Sequence, residues 1–548
     1  MKAARLIGGA GTGKTTELME IMDKLLAREI GPLEVGFCSF TRAARREAAT
    51  RAGDRFGVPV PVLEREGWFR TIHSVAYNVL GIGAELLAGD SAKTREWFRE
   101  TFDEDVIMED SDGFAEPSRG SEIETILSIW GAARSRLVSL ADQWEMVNAV
   151  DSSIPDLDDC RSVVDHYELA KQVDGRVDFA DILAKFAGRE FRLDGPLETS
   201  PDGEVPDVPV WIFDEQQDVT PLLDLVARRL ASGPSTRYVY LAGDPFQSIY
   251  GFAGADGSLF MDWDVHQERT MDRSFRCPAD ILEMGEAVLS GCSNYFDRGI
   301  LPADHQGEVC EGWLPDLGDL DPSVETLVIA RTNYIARTVA SQLTARGIPW
   351  SSTRGSGGWL SAKKREAMVS LGKLSDGEAI KLDGWKRILE MIPARDYLKR
   401  GVKKRFLLDK EEPEGDAVSL WNLGTWGATP ELVDRIARDG WVSLVEGGDL
   451  FVRAVSRYGY KDALGTQIRV GTIHSVKGLE ADNVTLISES SRRCSESERT
   501  PWGADEERRV AYVGITRARK KLTITRPTGS LDYEIPIPGT RRHADTIS

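Results

Sequence analysis

GGAGTGKTT, at residues 8–16, is the stretch that decides how this chain must fold. Its spacing, Gly-x4-Gly-Lys-Thr, is that of a phosphate-binding loop. A short apolar strand with Leu6 and Ile7 precedes it, and apolar residues at helical spacing follow from Leu18 onwards. Glycines let backbone N–H groups turn inward around phosphate oxygens, and the helix that follows offers them its positive end. The stretch therefore predicts a nucleotide-binding α/β sheet, with a chance glycine-rich turn as the alternative.

The side chains of this loop have distinct predicted roles. Lys14 is expected against the β- and γ-phosphates and Thr15 on Mg²⁺. The residues predicted to bind nucleotide here are Gly8, Gly9, Ala10, Gly11, Thr12, Gly13, Lys14, Thr15 and Thr16.

Two later hydrophobic strands end in polar side chains. WIFDEQQD at 211–218 carries Asp214 and Glu215, and RYVYLAGDPFQ at 237–247 ends in Gln247. Strands that end this way at one sheet edge place a ligand there. One carboxylate can hold Mg²⁺ through water, and its neighbour can take a proton from an attacking water. A solvated acidic strand end is the plainer alternative.

Two arginines complete the predicted hydrolytic site. Arg517 lies in AYVGITRAR at 511–519 and Arg276 in RSFRCP, both far along the chain from Lys14. An arginine that reaches across a cleft from another domain can neutralise charge on a transferred phosphoryl group. Such a site is complete only when two domains close on the nucleotide, whereas a surface ion pair is the alternative role for each arginine. The predicted catalytic set is Lys14, Glu215, Gln247, Arg276 and Arg517.

Composition limits the remaining possibilities. A chain of 548 residues is too long for one hydrophobic core. It has no apolar run of membrane-spanning length, no signal-peptide pattern and no C-x-x-C pair among its 6 cysteines. These features predict a cytoplasmic protein with reduced thiols, no membrane association and no structural metal. The net charge of −20 argues against non-specific coating of nucleic acid but allows a local basic groove.

The pattern along the chain predicts two parallel-sheet domains, each interrupted by an insertion. The Pro-, Gly- and acid-rich segment 191–209 is interpreted as a linker, and residues 351–465 as largely irregular. The predicted parts are a first sheet domain at 1–80, a helical insertion at 81–195, the first domain continued at 196–273, a second sheet domain at 274–350, a second insertion at 351–465, the second domain continued at 466–526 and an extended tail at 527–548.

The motifs resemble, as an ordered set, those of the UvrD/Rep/PcrA class of superfamily 1A DNA helicases. The set is GGAGTGKTT, SFTRAAR, TIHSVAY, FDEQQD, GDPFQSIYGFAGA, SFRC, ARTN, TIHSVKGLE and AYVGITRAR. The resemblance runs from residue 1 to about 525, outside the insertions and the tail. It implies an α/β fold with two RecA-like parallel-sheet motor domains, each with an inserted, mainly helical subdomain.

The resemblance also implies ATP-driven movement in the 3′→5′ direction on single-stranded DNA, with strand separation ahead of the motor. ATP and Mg²⁺ are the implied cofactors. Single-stranded DNA and junctions of single- and double-stranded DNA are the implied partners, and the tail or the insertions are candidate sites for a protein partner. Two alternatives stay open: a translocase that displaces proteins or drives a partner nuclease with little unwinding, and a nucleotide-gated DNA-binding module.

Roles follow position by position from the resemblance. Asp214 is similar to the Mg²⁺-associated carboxylate, Glu215 to the water-activating base and Gln247 to the γ-phosphate sensor. Arg276 and Arg517 resemble the paired γ-phosphate arginines of the second motor domain. Phe275 falls where the family stacks an aromatic ring on adenine, and Glu480 where it contacts ribose.

DNA contacts should come from hydroxyls, amides and aromatic faces, because these hold phosphates and bases of any sequence. The aromatic residues have core packing as their alternative role. The twin contexts T-I-H-S-V around His73 and His474 suit two domains that hold one strand. The predicted DNA-binding residues are Phe40, Thr41, Arg42, Thr71, His73, Tyr250, Phe252, Arg331, Thr332, Asn333, Thr472 and His474.

The chain departs from the family pattern in several places. It has almost nothing before residue 5, where the family has a glutamine segment that reads adenine, and Thr16 replaces a common arginine. Both departures weaken the expected selectivity for adenine. Ala253 stands where an arginine is typical, which predicts coupling that is weaker or rerouted through a neighbouring basic residue. The basic run at 399–405 is either a contact for duplex DNA or a solvated helix face, and the latter is slightly favoured.

Overall fold

The chain folds into two compact units. The structure, a computed structural model, describes residues 1–39, 42–83, 86–87, 91–104, 106, 121–355, 357–408, 417–438, 440–526 and 535–538. Unit 1 takes in the described residues of 1–308, 491–517 and 535–541, and unit 2 those of 309–490, 518–534 and 542–548. The predicted tail at 527–548 lies outside the described residues, apart from 535–538.

Unit 1 is built on a six-stranded parallel sheet in the order β3-β2-β6-β7-β1-β8. Strands β2 and β6 (VGFCS and VWIFD) are buried along their whole length, as expected for central strands covered on both faces. The strands of this unit are β1 (Lys2–Gly8), β2 (Val35–Ser39), β3 (Trp68–Thr71), β4 (Arg189–Arg192), β5 (Gly195–Glu198), β6 (Val210–Asp214), β7 (Tyr238–Gly243) and β8 (Gln267–Met271).

Unit 2 is built on a second six-stranded sheet, in the order β11-β14-β10-β15-β16-β9. The pairs from β11 to β16 are parallel, and β10 (TLVIA) is buried throughout. The strands that remain are β9 (Glu308–Trp313), β10 (Thr326–Ala330), β11 (Ser351–Ser352), β12 (Ile380–Lys381), β13 (Ala417–Val418), β14 (Ile468–Thr472), β15 (Ala481–Ile487) and β16 (Ala518–Arg526). Two parallel sheets confirm the predicted fold class.

Most helices begin at a Ser, Thr or Asp whose side chain accepts a backbone N–H, as helix N-caps prefer. The α-helices are α1 (Lys14–Leu26), α2 (Arg42–Phe56), α3 (Val60–Arg65), α4 (Ile72–Leu80), α5 (Ala92–Phe102), α6 (Glu122–Arg136), α7 (Leu140–Asn148), α8 (Leu157–Val173), α9 (Phe179–Ala187), α10 (Pro221–Ala231), α11 (Ser258–Met261), α12 (Ala279–Leu289), α13 (Asn333–Ala345), α14 (Ala362–Ser375), α15 (Leu382–Met391), α16 (Pro430–Ala437), α17 (Gly448–Leu464), α18 (Arg492–Ser497) and α19 (Pro501–Ile515). Among the described residues, no helix is both long enough and apolar enough to cross a membrane.

The first insertion, between β3 and β6, is mainly helical and holds a buried ion cluster. Arg134 on α6 and Lys171 on α8 both contact Asp178, the N-cap of α9, over 2.8 and 3.0 Å. Burial opposes ionisation of Asp178, but the two cations lower its pKa below the usual range. These ion pairs connect three helices. Removal of one charged side chain would leave its partners buried without a compensating charge, which destabilises the fold.

Two predictions about irregular structure are wrong. The segment 191–209, interpreted as a linker, contributes to the antiparallel hairpin β4–β5, which turns at Leu193-Asp194 with Gly195 at φ 122°. The second insertion, irregular by its residue pattern but mainly helical by the resemblance, carries α14 to α17 around a core of its own that includes Trp385 and Leu389. Glycines separate these helices and interrupt α17 at Gly459, which has φ 80°, so no periodic run spans the segment.

Residues 274–308 and 491–517 pack in unit 1, although the order of the motifs assigned both to the second sheet domain. The first of these segments contains α12 and the second contains α19. Compactness groups residues by packing, whereas the predicted boundaries follow the motifs, so the boundaries stay a prediction. All 6 cysteines are free thiols.

Candidate nucleotide site and nucleic-acid track

The glycine-rich loop joins β1 to α1, and its lysine side chain folds back to bond the start of the loop. Lys14 Nζ donates to the carbonyl oxygen of Gly8 over 2.9 Å. Gly11 and Gly13 adopt φ of 68° and 82°, which favours glycine. A Cβ on Gly11 would lie 2.3 Å from the Cβ of Arg276, so a larger residue would collide. The loop backbone can therefore approach a phosphate closely, with the N-terminus of α1 behind it.

The carboxylates at the end of β6 lie next to this loop. Thr15 Oγ1 donates to Asp214 Oδ2 over 3.4 Å, and the backbone N–H of Glu215 donates to Asp214 Oδ1 over 2.9 Å. Burial, and then the charge of Glu215, raise the pKa of Asp214 to about 7. Glu215 itself has φ 55°, in the left-handed region that non-glycine residues seldom adopt.

A hydroxyl and a buried carboxylate are the oxygen donors that hard divalent cations prefer. The pair Thr15 and Asp214 fits Mg²⁺ for that reason, since a cation would compensate a carboxylate that burial otherwise disfavours. A second carboxylate group, Glu168 with Asp178 and Asp181, is also close enough for a metal. The cations of the buried ion cluster contact it instead.

Two amides connect the strand ends of the sheet. Gln217 Nε2 donates to Glu215 Oε2 over 2.6 Å, and Gln217 Oε1 accepts the backbone N–H of Asp244 over 3.0 Å. Gln247 Nε2 donates to Asp244 Oδ2 over 2.8 Å. The predicted base and the predicted sensor are therefore joined through Gln217 and Asp244.

Both predicted arginines lie in the same compact unit as the loop. Arg517 follows α19, is 2% exposed, and donates from Nε to the carbonyl of Val513 over 2.9 Å. Arg276 Nη1 donates to the carbonyl of Thr516 over 3.4 Å. Burial, and then the charge of Arg276, lower the pKa of Arg517 to about 10, so the guanidinium stays protonated at neutral pH. Two cations held close together favour an anionic ligand such as a phosphate.

The predicted adenine-stacking residue also lies at the loop. The backbone N–H of Phe275 donates to the carbonyl of Gly11 over 2.8 Å, and the ring is 70% exposed. Its Cε2 would be 3.7 Å from a Cβ on Gly13, so the ring covers the loop. Glu480 lies in unit 2, where Arg519 Nη1 donates to its carboxylate over 3.2 Å.

The predicted DNA-binding residues of unit 1 follow strand ends or lie in the loop after β7. Thr71 ends β3, and its hydroxyl accepts the N–H of Ser74 over 3.3 Å, while His73 packs edge-on against the ring of Phe179. The rings of Tyr250 and Phe252 lie edge-to-face with centroids 6.3 Å apart. Phe40, Thr41 and the side chain of Arg42 fall outside the described residues.

Unit 2 repeats this arrangement. Arg331, Thr332 and Asn333 directly follow β10, and Thr472 with His474 lies at the end of β14. Ala330 is opposite Thr472 in the sheet, so both groups emerge at one edge. Thr472 Oγ1 accepts the N–H of Ser475 over 3.2 Å, the same three-residue cap that Thr71 makes. Both threonines are buried and set the direction of the chain that leads to the histidines.

The loop that carries Tyr250 and Phe252 is held from two sides. Arg136, the last residue of α6, donates from Nη2 to the carbonyl of Gly251. From α19, Glu506 Oε1 accepts the N–H of Phe252 over 3.2 Å, and Arg509 Nε donates to the carbonyl of Ser248 over 2.9 Å.

Several of these contacts have no counterpart among the predicted residues. Asp244 directly follows a buried strand in GDPFQ, which is a usable signal. No sequence signal marks the others described so far, which are Arg136, Glu506 and Arg509.

Comparison with known proteins identifies two family matches in chain order. Residues 2–266 match the UvrD/REP helicase N-terminal domain, and residues 456–528 match the UvrD-like helicase C-terminal domain. The chain is 24% identical, over 95% of its length and 76% of the relative, to ATP-dependent DNA helicase UvrD2 of Mycobacterium tuberculosis. It is 22% identical to the putative ATP-dependent DNA helicase YjcD of Bacillus subtilis, over 95% and 76% of the two chains. DNA helicase II of Rickettsia typhi is 22% identical over 97% and 91%.

Proposed function

We propose a direction and an outcome of movement for this chain, which belongs to the UvrD/Rep-like superfamily 1A helicases and is an ATP-dependent DNA helicase by family. The chain moves 3′→5′ along single-stranded DNA and unwinds the duplex ahead of it. The observation that carries the proposal is the convergence, within unit 1, of the phosphate loop, the carboxylates after β6 and the two arginines Arg276 and Arg517.

The chemistry proposed for this site is attack of water on the γ-phosphate of ATP. Glu215 accepts the proton of the water, because it directly follows Asp214, which contacts Thr15, and because Gln217 fixes the orientation of its carboxylate. Arg276 and Arg517 stabilise the charge that develops on the transferred phosphoryl group. Thr15 and Asp214 would hold Mg²⁺, which neutralises phosphate charge when bound. Gln247 contacts the γ-phosphate and Phe275 stacks on adenine.

The DNA track proposed here uses the carboxyl ends of β2 and β3 in unit 1 and of β10 and β14 in unit 2. Hydroxyl and amide groups at these ends hold phosphates, and the rings of Tyr250 and Phe252 offer faces to bases. Such contacts tolerate any sequence, which a motor that advances along DNA requires. Single-stranded DNA and its junctions with duplex are the proposed partners.

A second candidate function is translocation with little unwinding. Ala253 favours this function, because the arginine that is typical of the family at this position, and that is expected to couple the nucleotide site to DNA, is missing. Such a protein would displace bound proteins from DNA or drive a partner nuclease.

One pair of assays separates these functions. ATP hydrolysis and strand displacement are measured on substrates with 3′ tails, 5′ tails and blunt ends. The proposal expects hydrolysis stimulated by single-stranded DNA and displacement from 3′-tailed duplexes alone. Stimulated hydrolysis without displacement would establish the translocase. Turnover near zero in the presence of DNA would leave only a nucleotide-gated binding module, and displacement from 5′ tails would reverse the proposed polarity.

A further inference from the structure

Arg298 is a deeply enclosed cation beside the described nucleotide site. Its side chain is 0% exposed, and Nη1 lies 2.7 and 2.8 Å from the two carboxylate oxygens of Asp244. Nη2 donates to Oε1 of Glu286 on α12. Burial opposes the charge of Arg298, but these carboxylates raise its pKa, so the guanidinium is ionised. Burial of an ion pair costs desolvation energy and gives little net stability, so a pair buried this deeply points to a specific role.

Aromatic rings and the phosphate loop enclose the same guanidinium. Its Cζ lies 4.8 Å from the ring centroid of Phe246 and 5.2 Å from that of Tyr512. The hydroxyl of Tyr512 accepts the backbone N–H of Ala10, inside the loop, over 3.3 Å. A Cβ on Gly9 would lie 2.3 Å from Cδ1 of Ile300 and 3.4 Å from Nη1 of Arg298, so the arginine lies close to the loop.

Asp244, the partner of Arg298, has hydrogen bonds to both Gln247 and Gln217. Its Oδ2 accepts Nε2 of Gln247, the predicted sensor, over 2.8 Å. Its backbone N–H donates to Gln217, which in turn donates to Glu215, the predicted base. Because Arg298 contacts both oxygens of Asp244, this carboxylate cannot rotate without losing an ion pair in a buried place.

We propose that Arg298 is a positioning residue for ATP hydrolysis, which fixes the carboxylate of Asp244 and thereby orients Gln247, the predicted γ-phosphate sensor. The proposal rests on the proposed hydrolytic function. Arg298 acts on the sensor through Asp244, because it contacts both carboxylate oxygens of Asp244 and one of these accepts Nε2 of Gln247. A lysine cannot replace it, because one ammonium cannot reach both carboxylates and also stack as a flat group between two rings.

The test measures kcat, KM and nucleotide affinity for Arg298→Lys and Asp244→Asn, each alone and combined with Gln247→Ala. We expect kcat to fall about 10- to 100-fold, the usual cost of losing a group that orients a catalytic residue. KM and the Kd of a non-hydrolysable ATP analogue should change by less than about threefold, since Lys14 and the loop backbone still hold the phosphates. In the Gln247→Ala background, either change should cost little more, because the group it orients is gone.

Arg134→Lys provides a matched control. Arg134 is also a buried arginine, 5% exposed, paired with Asp178 and lying 5.3 and 5.8 Å from the rings of Trp130 and Phe191. It belongs to the first insertion, away from the phosphate loop in the sequence and in its contacts. Its loss should lower Tm by a similar amount and leave kcat within about twofold of wild type.

The inference is overturned if Arg298→Lys lowers Tm as Arg134→Lys does but keeps kcat, or if its effect multiplies with that of Gln247→Ala. If Arg298→Lys does not fold, Asp244→Asn decides alone, since it keeps the volume and shape of the carboxylate. Failure of the proposed function is seen separately, in the wild-type chain. Hydrolysis without unwinding removes the helicase proposal and leaves this inference standing, and absence of hydrolysis overturns both.

Discussion

Asp214 and Glu215 are neighbours in the chain, yet the structure gives them different partners. Asp214 is buried against Thr15, whereas Glu215 accepts a hydrogen bond from Gln217. The backbone leaves the extended strand conformation at Glu215, where φ is 55°. Adjacent residues can therefore take separate roles, one with the metal and one with water.

Glu215→Gln should abolish hydrolysis and keep nucleotide binding. An amide retains the volume of the side chain but cannot accept the proton of water, so single-turnover hydrolysis should fall about 10²- to 10⁴-fold. Nucleotide Kd, measured by fluorescence titration, should stay close to wild type. Glu198→Gln, at a side chain 84% exposed, serves as the control. Hydrolysis at the wild-type rate in Glu215→Gln would remove this residue from its role.

Arg517→Ala should lower turnover much more than affinity. The arginine is buried and charged at neutral pH, and its charge is most useful when charge develops on the transferred phosphoryl group. We expect kcat to fall roughly 10³-fold, the lower end of the range for an arginine finger, with a smaller change in Kd. A loss confined to nucleotide affinity would instead assign Arg517 to ground-state binding.

At the scale of elements, α19 links the proposed nucleotide site to the loop that is proposed to contact DNA. Its residues Glu506 and Arg509 hold the loop that carries Tyr250 and Phe252, and Arg517 follows its last turn. A helix is stiff along its axis, so a shift of the loop can reach the nucleotide site without a chain of separate contacts. Arg136 holds the same loop from the first insertion, next to the position where Ala253 leaves no arginine.

Glu506→Gln and Arg509→Met should weaken this link. We expect the ratio of DNA-stimulated to basal ATP hydrolysis to fall about fivefold, within the usual range of coupling energies, while basal turnover changes less. Both rates are measured at saturating single-stranded DNA. Arg508→Met is the matched control, because Arg508 donates to Asp505 of the same helix and not to the loop. An unchanged ratio in both variants would show that coupling runs elsewhere.

At the scale of the whole molecule, a net charge of −20 must coexist with DNA binding. The predicted track is formed mainly by hydroxyl, amide and aromatic groups, with Arg42 and Arg331 as its arginines. Stacking does not release counterions, whereas each neutralised phosphate does. The affinity for single-stranded DNA should therefore depend weakly on salt.

We expect the Kd for a single-stranded oligonucleotide to rise roughly 5- to 10-fold between about 50 and 200 mM salt, as neutralisation of two phosphates implies. Equilibrium titration at several salt concentrations gives the slope. Lys404→Ala, at an exposed position of the basic run, should leave that slope unchanged if the run is a solvated face. A rise of roughly 10³-fold would show that cations outside the predicted track dominate binding.

The site could be predicted from the sequence as far as local geometry defines it. Residues 8–16, the carboxylates after β6 and the twin T-I-H-S-V segments each depend on backbone turns of a few residues, and short spacings record such turns. The hairpin β4–β5 was missed, because strands of four residues are too short to show a period. The helices of the second insertion were expected from the family resemblance and not from the residue pattern, which glycines interrupt.

The sequence by itself determined the glycine-rich loop after β1, the fold class and the family, because glycine conformations and strand-end carboxylates are local properties of the chain. The tertiary structure alone decided that Arg298 closes on Asp244, that α19 holds the loop after β7, and that Arg517 shares a compact unit with Lys14. These contacts join residues far apart in the sequence. A buried charge leaves no periodic pattern, because its partner is chosen by packing.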